Sequence, residues 1–295
     1  MAERIVRDKS GNPLIMLVVD GVWYPDALSA ETLRNIPNVS LRDDDILLYG
    51  YPRSGHHWVF EIINMLVSGS AENVPFTLES GVLEVASDTA LQSLPSPRIL
   101  TSHAQSHLLP ADLKRRTVKT VYIIRDPKDV AVSWFHFYRS FPNNAYQGSW
   151  DDWIHLFMSE KFMWSTWFDH TRSFEKECES TDPRLLHIVF YEDLKKDPSK
   201  EVQKLAAFLD KPVSEDFINK VIYMSSFSRM KSQKDKIGDK WNASQGQYRK
   251  GTVGDWKNVF TPAQKALFDD VYRKRMQGSR FLNRYESSSQ TDGNV

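Results

Sequence analysis

One short turn gathers Arg53, Ser54, Gly55, His56 and His57, with Trp58 directly behind them. Such a turn aims backbone N–H groups and cationic side chains at whatever lies above it. A helix that starts there adds a partial positive charge, so the chemistry it suits is the binding of an anion. His103 follows the apolar Ile99-Leu100, and Arg125 ends a longer apolar stretch, Val118 to Ile124. A neutral imidazole can accept a proton near neutral pH. An arginine offers a planar fork that matches phosphate oxygens. Further along, Arg249-Lys250-Gly251 stands inside a polar stretch with aromatic and glycine neighbours, Gln245 to Trp256. A long loop of this composition inside a compact domain is a functional candidate.

The elements that would position these groups follow from hydrophobic periodicity. Ile46-Leu47-Leu48-Tyr49 reads as a buried strand. Val59, Ile62, Ile63 and Leu66 recur at helical spacing just after the turn. Arg98 to His103, Thr117 to Ile124 and Leu185 to Phe190 read as further strands. Pro127 suits the first turn of a helix that continues through Val130, Trp134 and Tyr138. Helices are also expected over about 198–209, 214–224 and 261–276, the last capped by Thr261 with Pro262 at its first position. Strands alternating with helices predict an α/β fold: a central parallel sheet flanked by helices on both faces. In such sheets ligands bind beyond the carboxyl ends of the strands. Arg53, His103, Arg125 and Tyr191 all fall at those ends.

Outside this frame, Leu14 to Val19 and Val22 to Tyr24 flank Asp20-Gly21 and predict a hairpin. Residues 1–13 are expected to be loose, Asp43-Asp44-Asp45 to be a solvated loop, and 225–258 to be irregular. The aromatics between Trp150 and Cys178, Trp164 among them, read as core. Residues 1–285 are expected to form a single domain, and the polar residues 286–295 a disordered tail.

The 295 residues carry 38 basic and 38 acidic side chains, so the formal net charge is zero. No global attraction to nucleic acid or an anionic membrane follows, and any anion site must be local. The single cysteine, Cys178, excludes an intrachain disulfide and fits a reducing compartment. No run is long enough for a membrane span and no signal-peptide layout is present, so a cytoplasmic protein is expected. His107, His136, His155, His170 and His187 lack metal-ligand spacing, and no metal site is expected.

Taken together, five stretches resemble the cytosolic sulfotransferase family. Tyr51-Pro52-Arg53-Ser54-Gly55-His56-His57-Trp58 is similar to that family's Tyr-Pro-Lys-Ser-Gly-Thr-Thr-Trp loop. Pro97 to His103 is similar to the segment that carries the family's catalytic histidine. Arg125-Asp126-Pro127-Lys128-Asp129-Val130-Ala131-Val132-Ser133, Tyr191-Glu192-Asp193, and Arg249-Lys250-Gly251 with Gly254-Asp255-Trp256-Lys257 complete the set. Their order and spacing carry the resemblance. A nucleotide kinase is disfavoured because the loop lacks the first glycine and the Gly-Lys-Ser/Thr ending of an NTP loop. A Golgi carbohydrate sulfotransferase is disfavoured because it would need a membrane anchor.

The resemblance implies in-line transfer of a sulfuryl group from 3′-phosphoadenosine 5′-phosphosulfate (PAPS) to a hydroxyl or amine of a small, largely apolar acceptor. The product nucleotide is 3′-phosphoadenosine 5′-phosphate (PAP). Residues 53–57 would hold the phosphosulfate, and Arg125, Ser133, Arg249, Lys250 and Gly251 the 3′-phosphate. Trp58, Tyr191 and Phe227 would contact adenine. His103 would be the general base, and Arg53 an electrostatic stabiliser rather than a proton donor, since arginine stays protonated. The acceptor walls are expected from 14–24, 76–85 and 134–153.

The chain departs from the family pattern at Arg53, His56, His57 and Thr101, the last standing where the family has a lysine. These departures leave a second reading, a nucleotide-binding module with weak or lost turnover. Cationic histidines in the loop would make PAPS affinity rise as pH falls from about 8 to about 6. Lys257 and Thr261 match the family's dimerisation signature, but Pro262 and Ala266 do not. The usual dimer is therefore not inferred.

Overall fold

A computed structural model of the chain describes residues 3–71, 77–140, 146–237 and 249–286. The expected tail beyond residue 286 lies outside these, as do Gln245–Tyr248 and parts of the expected acceptor walls.

The centre is a parallel sheet of four strands: β4 (Ile46–Tyr49), β5 (Ile99–Ser102), β6 (Lys119–Ile124) and β7 (Leu186–Phe190). Their spatial order is β5-β4-β6-β7, so β4 has a parallel neighbour on each side. Alternate residues of each strand point to opposite faces. Ile46, Leu48, Val121 and Ile123 belong to one core cluster, and Leu47, Tyr49, Tyr122 and Ile124 to the other. A strand apolar at every position needs cover on both sides.

Helices provide that cover. The first core holds Val59, Phe60, Ile62 and Ile63 of α2 (His56–Ser68), Val202 and Leu205 of α8 (Pro198–Phe208), and Ile218 and Val221 of α9 (Glu215–Met224). The second holds Val130, Ala131 and Trp134 of α4 (Pro127–Tyr138), Trp153 of α5 (Trp150–Phe157), and Trp167 and Phe168 of α6 (Trp167–Cys178). Pro127 starts α4 as expected, and Asp126 caps it by accepting from the Lys128 N–H at 2.8 Å. Short helices α1 (Ala30–Asn35), α3 (Asp88–Ser93) and α7 (Tyr191–Lys196) fill the connections. The chain closes with α10 (Phe227–Ile237), α11 (Pro262–Arg275) and α12 (Leu282–Tyr285). Thr261 caps α11 in a reciprocal box with Gln264.

The expected hairpin is present as β2 (Pro13–Val19) and β3 (Val22–Pro25) around Asp20-Gly21. Three expectations fail. Residues 3–7 are not loose: they form β1 (Glu3–Arg7), an antiparallel partner of β2. Part of 225–258 is not irregular, because Phe227–Ile237 is α10. The acidic run is not wholly solvated. Asp43 and Asp44 are exposed, but Asp45 is buried and takes a two-pronged contact from Arg98, with Nε 2.8 Å and Nη2 2.5 Å from its carboxylate oxygens. A local charge count cannot show that an arginine from the next strand's edge will neutralise one member of such a run.

Neither side chain of this pair is exposed. Removing one partner strands the other charge in the core. Asp45→Ala is expected to lower unfolding free energy by about 3–5 kcal/mol in urea melts. Replacing both residues by apolar ones, Asp45→Leu with Arg98→Met, should recover most of that loss.

Candidate active site

The register of the sheet decides what meets at its carboxyl edge. Tyr49 is level with Ser102 of β5, so the next residues, Gly50 and His103, lie side by side. The His103 Nδ1 is 3.1 Å from the Gly50 carbonyl oxygen. Ile124 is level with Phe190, so Arg125 faces Tyr191, and its guanidinium carbon sits 4.3 Å from that ring's centroid.

Between Gly50 and α2 the chain makes the turn that the sequence singled out. Arg53 has φ of 68°, a left-handed conformation that costs about 1 kcal/mol for a residue with a Cβ. Arg125 helps hold it there, donating from Nη1 to the Arg53 carbonyl at 3.3 Å. Arg53 donates from Nε to the Ser133 hydroxyl at 3.2 Å and lies over the Phe137 ring at 4.1 Å. Gly55 is the N-cap of α2 with φ of 112°. A Cβ there would come within 2.8 Å of the Tyr191 ring. Ser54 does not cap the helix; its hydroxyl is buried with no hydrogen-bond partner among the described residues.

The C-terminal loop is brought in by two aspartates. Asp129 of α4 accepts from the Gly254 N–H at 2.7 Å and the Trp256 N–H at 3.0 Å. Asp255 binds Arg249 and Lys250, the latter at 2.8 Å. Burial alone would raise the Asp255 carboxyl, but hydrogen bonds from Lys250, Arg249 and Asn258 hold it far below the usual range. Arg125 completes the junction by donating to the Thr252 carbonyl at 3.1 Å. Gly251 has φ of 64°, and a Cβ there would meet the Phe227 ring at 2.5 Å.

These elements enclose a cavity of about 490 Å³. Arg53, Gly55, His56, His57, Trp58, His103, Arg125, Ser133, Tyr191, Phe227, Arg249 and Gly251 line it. Of the residues predicted from sequence, two are outside the lining. Ser54 is fully buried beneath the turn, and Lys250 is tied to Asp255. Trp58 and Tyr191 meet edge to face at 5.5 Å.

The acceptor side differs in detail from expectation. Val82 and Val85 line it, as does Trp134, within two of the predicted stretches. The hairpin contributes Pro25 at the end of its second strand, with Leu28 just beyond it, while Tyr24 is buried against Trp164 at 5.1 Å. Trp164, buried in the core as expected, also lines the cavity, 5.5 Å from the His103 ring. Helical spacing gave its burial but not its place in the cavity wall; Trp164 and Ser165 both adopt positive φ just before α6.

Glu84 also lines the cavity and was not singled out from the sequence. It belongs to no motif. Only the pairing of Val82 with Thr101 brings it to the end of β5.

The histidines are set by burial. His56 is 4% exposed and meets His103 edge to face at 4.3 Å. Burial first, then the neighbouring His103, His57, His170 and Arg53, push it well below the usual histidine range. This corrects the expectation of a cationic His56 near pH 6: it is a neutral N–H donor in the free protein. His57 turns toward Glu79, with Nε2 3.7 Å from the carboxylate. Burial also lowers His103; Glu84 and the Gly50 carbonyl oppose that shift and Arg53 adds to it. Cys178 is part-buried, and burial raises its thiol to about 11, which suits the inert role expected.

Both ring nitrogens of His56, the Ser54 hydroxyl and the Arg125 Nε are buried without hydrogen-bond partners among the described residues. Unpartnered buried polar groups are costly. Donors concentrated at one turn fit an anionic ligand such as the phosphosulfate and 3′-phosphate of PAPS.

Comparison with known proteins agrees with this arrangement. The family model of the sulfotransferase domain matches residues 43–280. Sulfotransferase 1 family member D1 of Mus musculus is 35% identical over 275 residues, covering 87% of this chain and 92% of that protein. Sulfotransferase 1C2 of Homo sapiens is 32% identical over 287 residues, covering 91% and 95%. Among solved structures, mouse sulfotransferase SULT7A1 complexed with PAP superimposes with a TM-score of 0.77 at 31% identity, covering 92% of this chain and 98% of that one. Retinol dehydratase, solved with androsterone and PAP, shares the fold with a TM-score of 0.73 at 19% identity, over 93% and 90% of the two chains. The chain therefore belongs to the sulfotransferase family, as a PAPS-dependent sulfotransferase. Among the described residues no helix is long and apolar enough to cross a membrane, and no group of histidine, cysteine and acidic side chains could hold a metal.

Two measurements follow. Arg125→Met removes charge-assisted bonds worth about 1.5–3 kcal/mol each. PAP binding by calorimetry is expected to weaken about 10- to 100-fold. The buried histidines set a pH dependence of stability. His56, His103 and His170, the last pushed to about 3 by burial, stay neutral while the unfolded chain's histidines protonate near 6.5. The native state then binds fewer protons than the unfolded state, so stability is full above about pH 6.5 and falls as pH drops. Urea melts from pH 7.5 to 5 should show this decline. His170→Asn should make it shallower, by roughly 1 kcal/mol per pH unit.

Proposed function

We propose that the protein transfers a sulfuryl group from PAPS to a hydroxyl, or an amine, of a small and largely apolar acceptor, with His103 as general base. The observation that carries this is the contact between the His103 Nδ1 and the Gly50 carbonyl. A carbonyl only accepts, so Nδ1 holds the proton and Nε2 keeps its lone pair. Burial, which holds the ring neutral, supports the same role.

PAPS supplies an electrophilic sulfur on a phosphate leaving group. The turn 53–58 would hold its phosphosulfate. Arg125, Ser133, Arg249, Lys250 and Gly251 would hold its 3′-phosphate, and Trp58, Tyr191 and Phe227 its adenine. The proton of the acceptor hydroxyl would go to His103 Nε2 as its oxygen bonds to sulfur. The bond from sulfur to the phosphate oxygen breaks, and its electron pair stays on that oxygen, giving PAP. Arg53 would offset the charge that develops there. Pro25, Leu28, Val82, Val85, Trp134 and Trp164 are apolar lining of the cavity that also holds His103, and they favour an apolar acceptor body. The lone cysteine and lack of a spanning helix among the described residues support a cytoplasmic site of action.

The test is incubation with labelled PAPS and a panel of phenols, alcohols, steroids and amines. Transfer to at least one phenol or alcohol is expected. His103→Ala should lose it by a factor of about 100 or more while PAP binding stays within about twofold. Wild-type protein that binds PAP and transfers to nothing would instead support the nucleotide-binding module, the reading motivated by the departures at Arg53, His56, His57 and Thr101.

A further inference from the structure

The buried carboxylate of Glu84 stands where the fold delivers the base. Leu83 donates its N–H to the Thr101 carbonyl at 2.9 Å, laying residues 82–84 along β5. From there one oxygen of Glu84 accepts from the Ser102 hydroxyl at 2.6 Å, the His103 N–H at 2.7 Å and the Ala104 N–H at 3.2 Å. The side chain is 1% exposed, and its second oxygen has no hydrogen-bond partner among the described residues. Burying a carboxylate with an oxygen left over is expensive unless its charge serves a purpose. The turn 102–104 could have been pinned by a neutral acceptor.

We propose that Glu84 is a positioning residue for sulfuryl transfer: it fixes the turn that carries His103 and holds a negative charge behind the imidazole while that ring takes up the acceptor's proton. This rests on the reading of His103 as base. The charged or titratable groups that face the ring are Glu84 from the segment before α3, Arg53 from the turn, His56 from α2 and His170 from α6. Arg53 and burial oppose an imidazolium there. Glu84 is the acidic group among them, and it opposes the lowering of His103. It thus supports the form of the base that exists only after proton transfer.

The experiment compares wild type, Glu84→Gln and His103→Ala, measuring kcat/KM against pH at saturating PAPS, with PAP affinity by calorimetry. Glutamine keeps an oxygen for the three donors and removes the charge. The expected result is an acid limb displaced about one pH unit lower. A kcat about threefold to tenfold lower and PAP affinity within about twofold of wild type should accompany it. A purely structural role would leave the acid limb in place, and an unmoved limb overturns the proposal whatever the kcat. Should Glu84→Gln fail to fold, Ser102→Ala carries the test. It removes one anchor and keeps the charge, so a kcat several-fold lower with an unmoved limb supports the proposal, and an unchanged kcat overturns it. Activity retained in His103→Ala refutes the base assignment itself. Activity lost there with Glu84→Gln indistinguishable from wild type refutes only the role of Glu84.

Discussion

Parallel pairing of β4 with β5 on one side and β6 on the other brings the chemistry of this protein to one edge. Hydrogen bonding sets Tyr49 level with both Ser102 and Tyr122. A slip of one residue would exchange the two faces of a strand and move His103 away from Gly50. The two cores resist such a slip, because Ile46 and Leu48 fill one and Leu47 and Tyr49 the other. Precision at the site therefore derives from packing on both sides of the sheet.

Charge is distributed with equal care. The cavity collects Arg53, Arg125 and Arg249, whose mutual repulsion would oppose folding without counter-charges. Asp129 lies 3.7 Å from Arg125, and Asp255 takes Arg249 and Lys250. Both aspartates are buried, so their pairings are weakly screened. They also tether the loop 249–256, making the same interactions structural and electrostatic. The histidines follow the opposite rule. Burial lowers His56 and His103 from the usual histidine range, which favours the neutral ring at both.

The turn at Arg53 to Trp58 could be read from the chain, because an apolar run, a glycine-containing break and an amphipathic helix are local patterns. The same holds for the strands read as ending at His103 (one residue beyond the observed end of β5), Ile124 and Phe190, and for Pro127 and Thr261 as helix starts. What could not be read depended on partners far away in the chain. Asp45 looked solvated until Arg98 reached it across 53 positions. Trp164 is core as read, but that it also meets His103 and lines the cavity depends on contacts across the fold. Glu84 fell inside the expected wall 76–85 but was not singled out, since its place beside His103 follows from a bridge to β5 rather than from any motif.

The amino-acid sequence by itself determined the strands of the central sheet, the main helices that cover it and the identity of most side chains that line the cavity, because periodicity and turn chemistry act over a few residues. It also determined the family, through five short stretches in a fixed order. Only the tertiary structure decided the burial of His56 and His103 and the contact of the His103 ring with the Gly50 carbonyl, because both are properties of packing. It alone decided that Lys250 and Ser54 stand behind the cavity lining while Trp164 and Glu84 stand in it. Those outcomes depend on register and on long-range ion pairs, whose energies appear only once distant segments share a low-dielectric interior.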